Sequence, residues 1–300
     1  MKSMKIIDAH IHYAGHEGFN QTARESGQIN TASAVAENFR NNGVVAAIAM
    51  GTGRSDGNPA GLCEPMRPDL AGPVTAETCA LPRNIVYCAG VDSGAITPEN
   101  TAKSLELFEK YLKTPQCVGL KFYPGYHHLY MSDKRHYPFF ELAAAYDVPV
   151  VIHTGDTAGT RGHVKYSHPL TIDEIAVDFP QTRFVLAHYG NPWIVDATEV
   201  AAKNENVSID LSGLAAGKID SQTFLAQYRG YLEYLKTWMA YLGDWSRFLY
   251  GSDYPLVNID EYIRVIRAII PEEHHEEVFY GNALRTFRKL ARLMKEEETK

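Results

Sequence analysis

The sequence predicts an α/β fold in which eight parallel strands alternate with helices and close into a (β/α)8 TIM barrel. Two observations lead to this prediction: eight short runs are almost continuously apolar, and the segments between them carry helical periodicity. Continuous apolar runs are typical of strands that are buried on both faces. The predicted strands span residues 6–12, 44–50, 84–91, 117–123, 148–154, 183–189, 206–212 and 247–253.

Six of the intervening segments predict helices. Leu105, Phe108 and Leu112 recur at helical spacing, and another segment opens with a Thr/Asp capping pattern at Thr171 and stops at Pro180. Strand–helix alternation of this kind is typical of a parallel sheet that closes into a barrel. The predicted helices span residues 101–113, 139–147, 171–180, 222–242, 258–269 and 282–295.

The 300 residues are predicted to form one domain, residues 1–300. A hydrophobic fraction of 45% is enough for a sizeable core, and neither an internal repeat nor a linker divides the chain. Residues 51–82 are rich in Gly, Pro and Asp and have little periodicity. They predict a long insert after strand 2, and loops of that length in compact domains are usually functional or disordered.

Charge and composition restrict the partners. A net charge of -7 argues against a nucleic-acid partner, which favours a basic face. No stretch approaches 18 apolar residues, so no membrane span is expected, and the first residues lack the apolar core of a signal peptide. The four cysteines form no C-x-x-C pair, which indicates reduced thiols and a cytoplasmic protein. They are Cys63, Cys79, Cys88 and Cys117.

The stretch D-A-H-I-H near the start of the chain places His10 and His12 two residues apart on a predicted strand. Side chains at positions i and i+2 of a strand point to the same face, so Asp8, His10 and His12 share one face. Two imidazoles on one face can hold a metal ion. Taken alone, they can equally be ordinary polar residues at a strand end.

Polar side chains also end four other predicted strands. Each alone has an ordinary explanation, because a histidine after an apolar run or an aspartate in a turn is common. In a parallel barrel, however, the carboxyl ends of all strands form one face. Burying these groups together is costly unless a divalent ion, for which imidazole and carboxylate are natural ligands, organises them. The set is His10, His12, Lys121, His153, His188 and Asp253.

The ordered motifs D-A-H-I-H, G-L-K-F-Y-P, V-I-H-T-G, L-A-H-Y-G and Y-G-S-D-Y-P, followed by F-Y-G-N-A at 279–283, resemble the amidohydrolase superfamily. More narrowly, they resemble its amidohydrolase-related (amidohydrolase 2) branch of metal-dependent hydrolases and decarboxylases. The resemblance covers essentially the whole chain. It implies a distorted (β/α)8 TIM barrel with one or two divalent metal ions per chain, commonly zinc.

The resemblance also implies roles for individual residues. His10, His12 and His153 are expected to be metal ligands. Asp253 is expected to bind the metal and to take a proton from the water. His188 is expected either to bind a second metal or to act on the substrate or the water.

Lys121 has three interpretations. Family members with two metals carry a lysine at the end of strand 4, which is carboxylated and bridges the ions. Alternatively, Lys121 is an ammonium that binds a substrate carboxylate or the rim, or an ordinary lysine that extends outward. Decarboxylases of this branch generally lack the lysine, so its presence favours hydrolysis.

Loops that follow the strand ends supply candidates for substrate binding. Arg54 follows strand 2 and could pair with a substrate carboxylate. Each loop residue also has an ordinary alternative, which is a solvated or loop-packing role. The candidates are Arg54, Tyr123, Tyr126, His127, Arg161 and His168.

The predicted function is therefore that of a metal-dependent hydrolase acting on an ester, lactone or amide of a small-molecule substrate. The alternatives are a metal-dependent, non-oxidative decarboxylase of an aromatic or unsaturated acid, and a non-catalytic barrel that keeps its metal for structure or ligand binding. Family barrels are often dimers, so the resemblance implies a homodimer. The tyrosine-rich stretch 228–238 fits either a buried helix or a dimer surface.

Overall fold

A computed structural model describes residues 4–52, 62–67, 81–82 and 84–298. Eight parallel strands follow one another in sequence order and form a nearly closed barrel with helices between them, so the predicted TIM barrel is confirmed. The strands are β1 (Ile6–Ile11), β2 (Val44–Met50), β3 (Ile85–Gly90), β4 (Cys117–Phe122), β5 (Val150–Ile152), β6 (Phe184–Leu186), β7 (Val207–Asp210) and β8 (Phe248–Leu249).

All eight strands lie within the predicted runs, but most are shorter at the carboxyl end. At two ends the backbone leaves the extended region altogether, with φ of 64° at His188 and 60° at Asp253. Such left-handed residues cannot continue a ladder. The polar residues that the sequence placed in the strands therefore mostly lie in the turns that follow them.

The described helices include three that were not predicted: α1, α2 and α6. The first two are rich in polar residues, so their apolar periodicity is weak, although Thr31 and Gly43 cap α2 at its two ends. The helices are α1 (Glu17–Glu25), α2 (Ala32–Asn42), α3 (Thr101–Leu112), α4 (Tyr137–Ala145), α5 (Thr171–Asp178), α6 (Ile194–Lys203), α7 (Ser221–Gln227), α8 (Arg229–Leu242), α9 (Ile259–Ile269), α10 (Asn282–Thr286) and α11 (Arg288–Glu298).

Two predicted helices are each divided, which corrects the sequence interpretation. The predicted helix 222–242 breaks at Tyr228, whose backbone (φ -100°, ψ 26°) ends α7 and begins α8. The predicted helix 282–295 breaks between α10 and α11 at Phe287, a fully buried side chain. Apolar periodicity does not reveal such breaks because it continues across them.

The described residues fall into two compact units. The first contains the described residues of Met1–Ala49, Pro68–Val86 and Asp210–Ala283, and the second those of Met50–Arg67, Tyr87–Ile209 and Leu284–Lys300. A single domain therefore stays a prediction. Most of the predicted insert 51–82 lies outside the described residues, although Met66 pairs with Gly90 in an antiparallel bridge.

In the first unit, strand β1 pairs with β2, and α9 packs against α7 and α8. Helix α9 is strongly amphipathic and buries Ile259, Ile263 and Ile266 on one face. Helix α8 buries Leu232, Leu235 and Met239, whereas Tyr234 and Tyr241 are exposed. The tyrosine-rich stretch is thus partly core and partly surface, and the homodimer stays a prediction.

In the second unit, strands β4 to β7 form a continuous parallel ladder over an aromatic core. Phe122 contacts the rings of Phe139 and Phe140 edge to face, and Phe140 contacts Phe184 in the same way. The C-terminal helix is tied to this unit because Lys289 Nζ donates to the carbonyls at the end of α3 and the start of β4. These acceptors belong to Leu112, Thr114 and Cys117.

Within the described part of the chain, no helix is both long enough and apolar enough to cross a membrane.

The buried His136 allows a test of the aromatic core of the second unit through the pH dependence of stability. It is fully buried against Phe122, and burial lowers its pKa from 6.5 to about 4. A pKa depressed on folding means that the unfolded chain binds more protons between these values. Stability from this residue is therefore complete above pH 6.5 and is lost as the pH falls towards 4, by about 3 kcal/mol in all.

We expect His136→Phe to remove that part of the acid sensitivity. The measurement is urea unfolding of both proteins at pH 7, 6 and 5. Titrating groups that do not interact with His136 contribute equally to both proteins, so the difference between the two pH slopes reports His136 and its interaction with Asp133. Parallel slopes would show that this histidine does not govern acid stability.

Candidate metal centre

The ends of β1 and β8 bring three predicted ligands of the first unit together. His10 is the fifth residue of β1 and is fully buried, His12 follows the strand and is half-buried, and Asp253 lies in the turn after β8. Two backbone hydrogen bonds fix this arrangement. Asp253 N donates to His10 O at 2.8 Å, and His12 N donates to Tyr254 O at 2.6 Å.

The ligand atoms of these residues face one another. Asp253 Oδ1 lies 3.3 Å from His12 Nε2 and 3.7 Å from His10 Nε2, and one ligand atom of each lies within 4.8 Å of the others. Donors that share an ion at about 2.0–2.2 Å are separated by distances of this order. Two imidazoles and a carboxylate are also the donor chemistry of such ions. The residues therefore fit a divalent metal.

The turn after β8 orients the Asp253 side chain towards His10 and His12. Its φ of 60° is rarely adopted by a residue other than glycine, asparagine or aspartate, and Tyr254 N donates to Ser252 Oγ at 3.0 Å across the turn. Two residues before Asp253, Gly251 packs closely against β1. A Cβ at position 251 would lie 2.9 Å from His10 Cβ and 3.1 Å from Ser212 Cβ.

Asp8 also connects β1 to the turn after β8. Its Oδ1 accepts hydrogen bonds from Ser252 N at 2.8 Å and from His10 N at 3.3 Å. Complete burial raises the pKa of the Asp8 carboxyl to about 7. Asp8 shares the strand face predicted for it, and its hydrogen bonds with Ser252 and with the backbone of His10 hold the ligands in place.

Two residues in contact with the ligands were missed by the sequence analysis. Asp210, the last residue of β7, accepts a hydrogen bond from His10 Nδ1 at 2.8 Å. Phe19 of α1 stacks on the His12 ring with centroids 4.9 Å apart. Asp210 ends an apolar run just as the predicted ligands do, which is a signal that the sequence offered, whereas nothing local marked Phe19.

In the second unit, His153 follows β5 and His188 follows β6, and the two rings meet. His188 Nε2 lies 3.1 Å from His153 Nδ1, and His153 Nε2 donates to Asp156 O at 2.9 Å. Because a carbonyl only accepts, the proton of a neutral His153 is on Nε2. Its Nδ1 therefore keeps the lone pair, which can accept a proton or bind a metal.

Lys121 lies within β4 and is fully buried, which excludes a side chain that extends outward to solvent. Its Nζ lies 5.0 Å from the centroid of the Tyr123 ring. Tyr123 is half-buried and donates from Oη to Gly51 O at 2.8 Å.

Two substrate-binding candidates share a cavity of about 440 Å³ in the second unit. Tyr126 is 39% exposed, and its ring centroid lies 4.9 Å from that of His153. The exposed Arg161 lines the same cavity with residues 158–160 and 162. Tyr126 also fixes the loop opposite, because its Oη accepts a hydrogen bond from Ala158 N at 2.8 Å.

The other candidates contact protein groups or lie outside the described residues. His127 is buried with its Nε2 3.4 Å from Asp92 Oδ1, and burial lowers its pKa. His168 packs against Trp193 with ring centroids 4.8 Å apart. Arg54 lies outside the described residues. Substrate binding by these residues stays a prediction.

The sequence matches the model of a known family over residues 7–289, described as amidohydrolase. The chain belongs to the amidohydrolase family. This agrees with the resemblance drawn from the strand-end motifs, which lie within the matched range. No curated protein matches the chain.

Several solved structures share the fold of the chain. An uncharacterized TIM-barrel protein from Bordetella bronchiseptica is 19% identical, with a TM-score of 0.69 and coverage of 96% of this chain and 100% of the other. A 5-carboxyvanillate decarboxylase from Novosphingobium aromaticivorans, complexed with manganese, is 14% identical (TM-score 0.59; 95% and 96%). A probable 2-pyrone-4,6-dicarboxylic acid hydrolase from Acinetobacter baumannii is 14% identical (TM-score 0.56; 95% and 99%). At these identities the likeness shows the fold alone.

Gly251 provides a test of the ligand geometry. We expect Gly251→Ala to displace His10 or Ser212, because the added Cβ would approach both too closely. The free energy of unfolding should fall by about 1–3 kcal/mol, measured by urea denaturation, and the metal content of the purified protein should fall with it.

Gly230→Ala is the matched control. Gly230 lies in α8 with nothing within 4 Å of an added Cβ, so the same change should stabilise the protein by about 0.5–1 kcal/mol. Two variants of equal stability and equal metal content would contradict the role given to Gly251.

Proposed function

We propose that this protein is a metal-dependent hydrolase that cleaves an ester, lactone or amide of a small molecule. The observation that carries the proposal is the meeting of His10, His12 and Asp253, whose ligand atoms lie within 4.8 Å of one another. The family assignment supports it, because metal-dependent hydrolases and decarboxylases both belong to the amidohydrolase family.

A divalent ion held by these residues would supply Lewis acidity, making water more acidic and polarising a carbonyl group. Asp253 is the chain's own proton acceptor. Its carboxylate accepts a proton from the attacking water and returns it to the leaving group, acting first as general base and then as general acid. His10 and His12 hold their Nε2 atoms towards Asp253 Oδ1 throughout.

The remaining roles follow the family resemblance. His153 is proposed as a further ligand through Nδ1, the ring nitrogen that keeps its lone pair. His188 is proposed to bind a second ion or to donate a proton to the substrate. Lys121, which is fully buried in β4, is proposed to be carboxylated and would then bridge two ions.

Zinc is the proposed metal. Histidine and carboxylate ligands suit zinc, and they also suit manganese. The decarboxylase from Novosphingobium aromaticivorans was solved with manganese, so manganese is the second candidate. The proposed location is the cytoplasm, because the described cysteines Cys63, Cys88 and Cys117 are buried free thiols.

A non-oxidative decarboxylase of an aromatic or unsaturated acid is the second candidate function, since similar structures include decarboxylases. In that reaction Asp253 or His188 delivers the proton that replaces carbon dioxide. Lys121 favours hydrolysis over this alternative, for the family reason given above.

Metal analysis of purified variants tests the centre. We expect His10→Ala to lose metal and turnover, because a ligand is removed. Asp253→Asn should lose turnover while keeping most of its metal, because the amide oxygen still coordinates but cannot accept the proton. The measurement is elemental analysis beside a turnover assay, and activity retained in either variant would contradict the assignment.

The number of ions per chain tests Lys121. Two equivalents in the wild-type protein, falling to one or none in Lys121→Met, are expected for a carboxylated bridge. One equivalent that is unchanged in Lys121→Met would instead place the lysine on the substrate side.

The reaction class is tested with a panel of lactones, amides and aromatic acids. We expect ring opening, measured by proton release, or amide cleavage, measured by the amine produced, and no carbon dioxide release. Carbon dioxide released from an aromatic acid, and lost in Asp253→Asn, would replace the hydrolase with the decarboxylase.

A further inference from the structure

We infer that Asp210 is a positioning residue of the metal centre, which holds His10 as the Nδ1–H tautomer, so that Nε2 carries the lone pair that would bind the ion. This inference rests on the proposed function. His10 Nδ1 lies 2.8 Å from Asp210 Oδ2, and its Nε2 lies 3.7 Å from Asp253 Oδ1. Nδ1 of the His10 ring therefore faces the Asp210 carboxylate, and Nε2 faces the Asp253 carboxylate.

The orientation of the Asp210 carboxylate is fixed by Ser212. Both the backbone N of Ser212, at 3.0 Å, and its Oγ donate to Asp210 Oδ1. Asp210 is 1% exposed, and His10 and Ser212 are fully buried, so water does not compete for these contacts. With Oδ1 engaged by Ser212, Oδ2 is the oxygen that serves His10.

The backbone around Ser212 is also held in place. Leu211 N donates to Leu249 O at 2.9 Å, which ties the residue between Asp210 and Ser212 to β8. Tyr262 Oη donates to Leu211 O and accepts from Leu214 N at 3.2 Å. Gly251 leaves room for His10 and Ser212 to sit on either side of it. The carboxylate is thus presented by a rigid support.

A carboxylate oxygen only accepts hydrogen bonds, so this contact requires the proton on His10 Nδ1. A neutral imidazole carries one ring proton, and Nε2 is then a lone-pair donor, the form that a metal needs. Partners of this kind fix the tautomer and the ring orientation of a ligand. Asp210 therefore sets the tautomer and the orientation of His10, which an apolar side chain of the same size could not do.

Asp210→Asn separates these two roles because it preserves the shape. The donors of Ser212 require an oxygen at Oδ1, so the amide NH₂ of asparagine faces His10 Nδ1 and donates to it. The ring proton must then move to Nε2, which removes the lone pair intended for the metal. Asp210→Ala removes the hydrogen bond without imposing the wrong tautomer, so it should be the milder change.

The first measurement is zinc affinity, by chelator competition on metal-stripped full-length protein. We expect Asp210→Asn to weaken binding about 100-fold, and Asp210→Ala and Ser212→Ala about 10-fold. Asp173→Asn is the matched control, because Asp173 accepts from Lys203 and Asn204 and has no ligand contact among the described residues. Its affinity should stay within about twofold of the wild type. Asp210→Asn with wild-type affinity would overturn the inference.

The second measurement is independent of metal and of activity. Long-range ¹H–¹⁵N correlation spectra of metal-free, ¹⁵N-histidine protein report which nitrogen of His10 is protonated. We expect protonation at Nδ1 in the wild type and at Nε2 in Asp210→Asn, with His10→Ala assigning the signal. A wild-type His10 protonated at Nε2 would overturn the inference even if the variants failed to fold.

The two measurements also separate this inference from the proposed function. A wild-type protein that binds no divalent metal, yet keeps His10 protonated at Nδ1 through Asp210, would sink the hydrolase proposal and leave Asp210 orienting the ring without an ion to serve. Tight zinc binding that is indifferent to Asp210→Asn would sink the positioning role and leave the hydrolase proposal standing.

Discussion

The candidate centre depends on how the first and last strands of the barrel are joined. Asp253 N donates to His10 O, and His12 N donates to Tyr254 O, so two backbone hydrogen bonds join the turn after β8 to the end of β1. Ligand atoms from opposite ends of the sequence are thereby held within 4.8 Å of one another. A shift of one residue in this junction would turn His10 to the other face of its strand.

The burial of polar side chains makes this junction costly in free energy as well as rigid. His10, Asp8 and Asp210 are almost completely buried, and buried polar groups destabilise a fold unless they are hydrogen-bonded. Asp8 accepts from two backbone N–H groups, and Asp210 accepts from His10 and Ser212. The raised pKa of Asp8, about 7, shows that burial outweighs these bonds at that position. The interior here is organised for the centre at a cost to stability.

The sequence predicted the eight strands because parallel barrel strands are apolar on both faces, a signal that each run carries by itself. It missed α1 and α2, whose mostly polar residues leave little periodicity. His10, His12 and Asp253 were predicted as ligands because their side chains are of ligand type at strand ends. Asp210 ends a strand too, but its partner lies 200 positions earlier, and no local pattern reveals which imidazole a carboxylate will orient.

The family and the fold leave the reaction class undecided for a physical reason. Hydrolysis and decarboxylation both need a cation, a carbonyl or carboxylate oxygen beside it, and a group that moves one proton. They differ in where that proton goes, to a leaving group or to a carbon atom, and the role proposed for Asp253 suits either destination. The decision therefore rests on the groups that orient a substrate, and such groups usually belong to loops, which vary far more readily than the strands of a barrel.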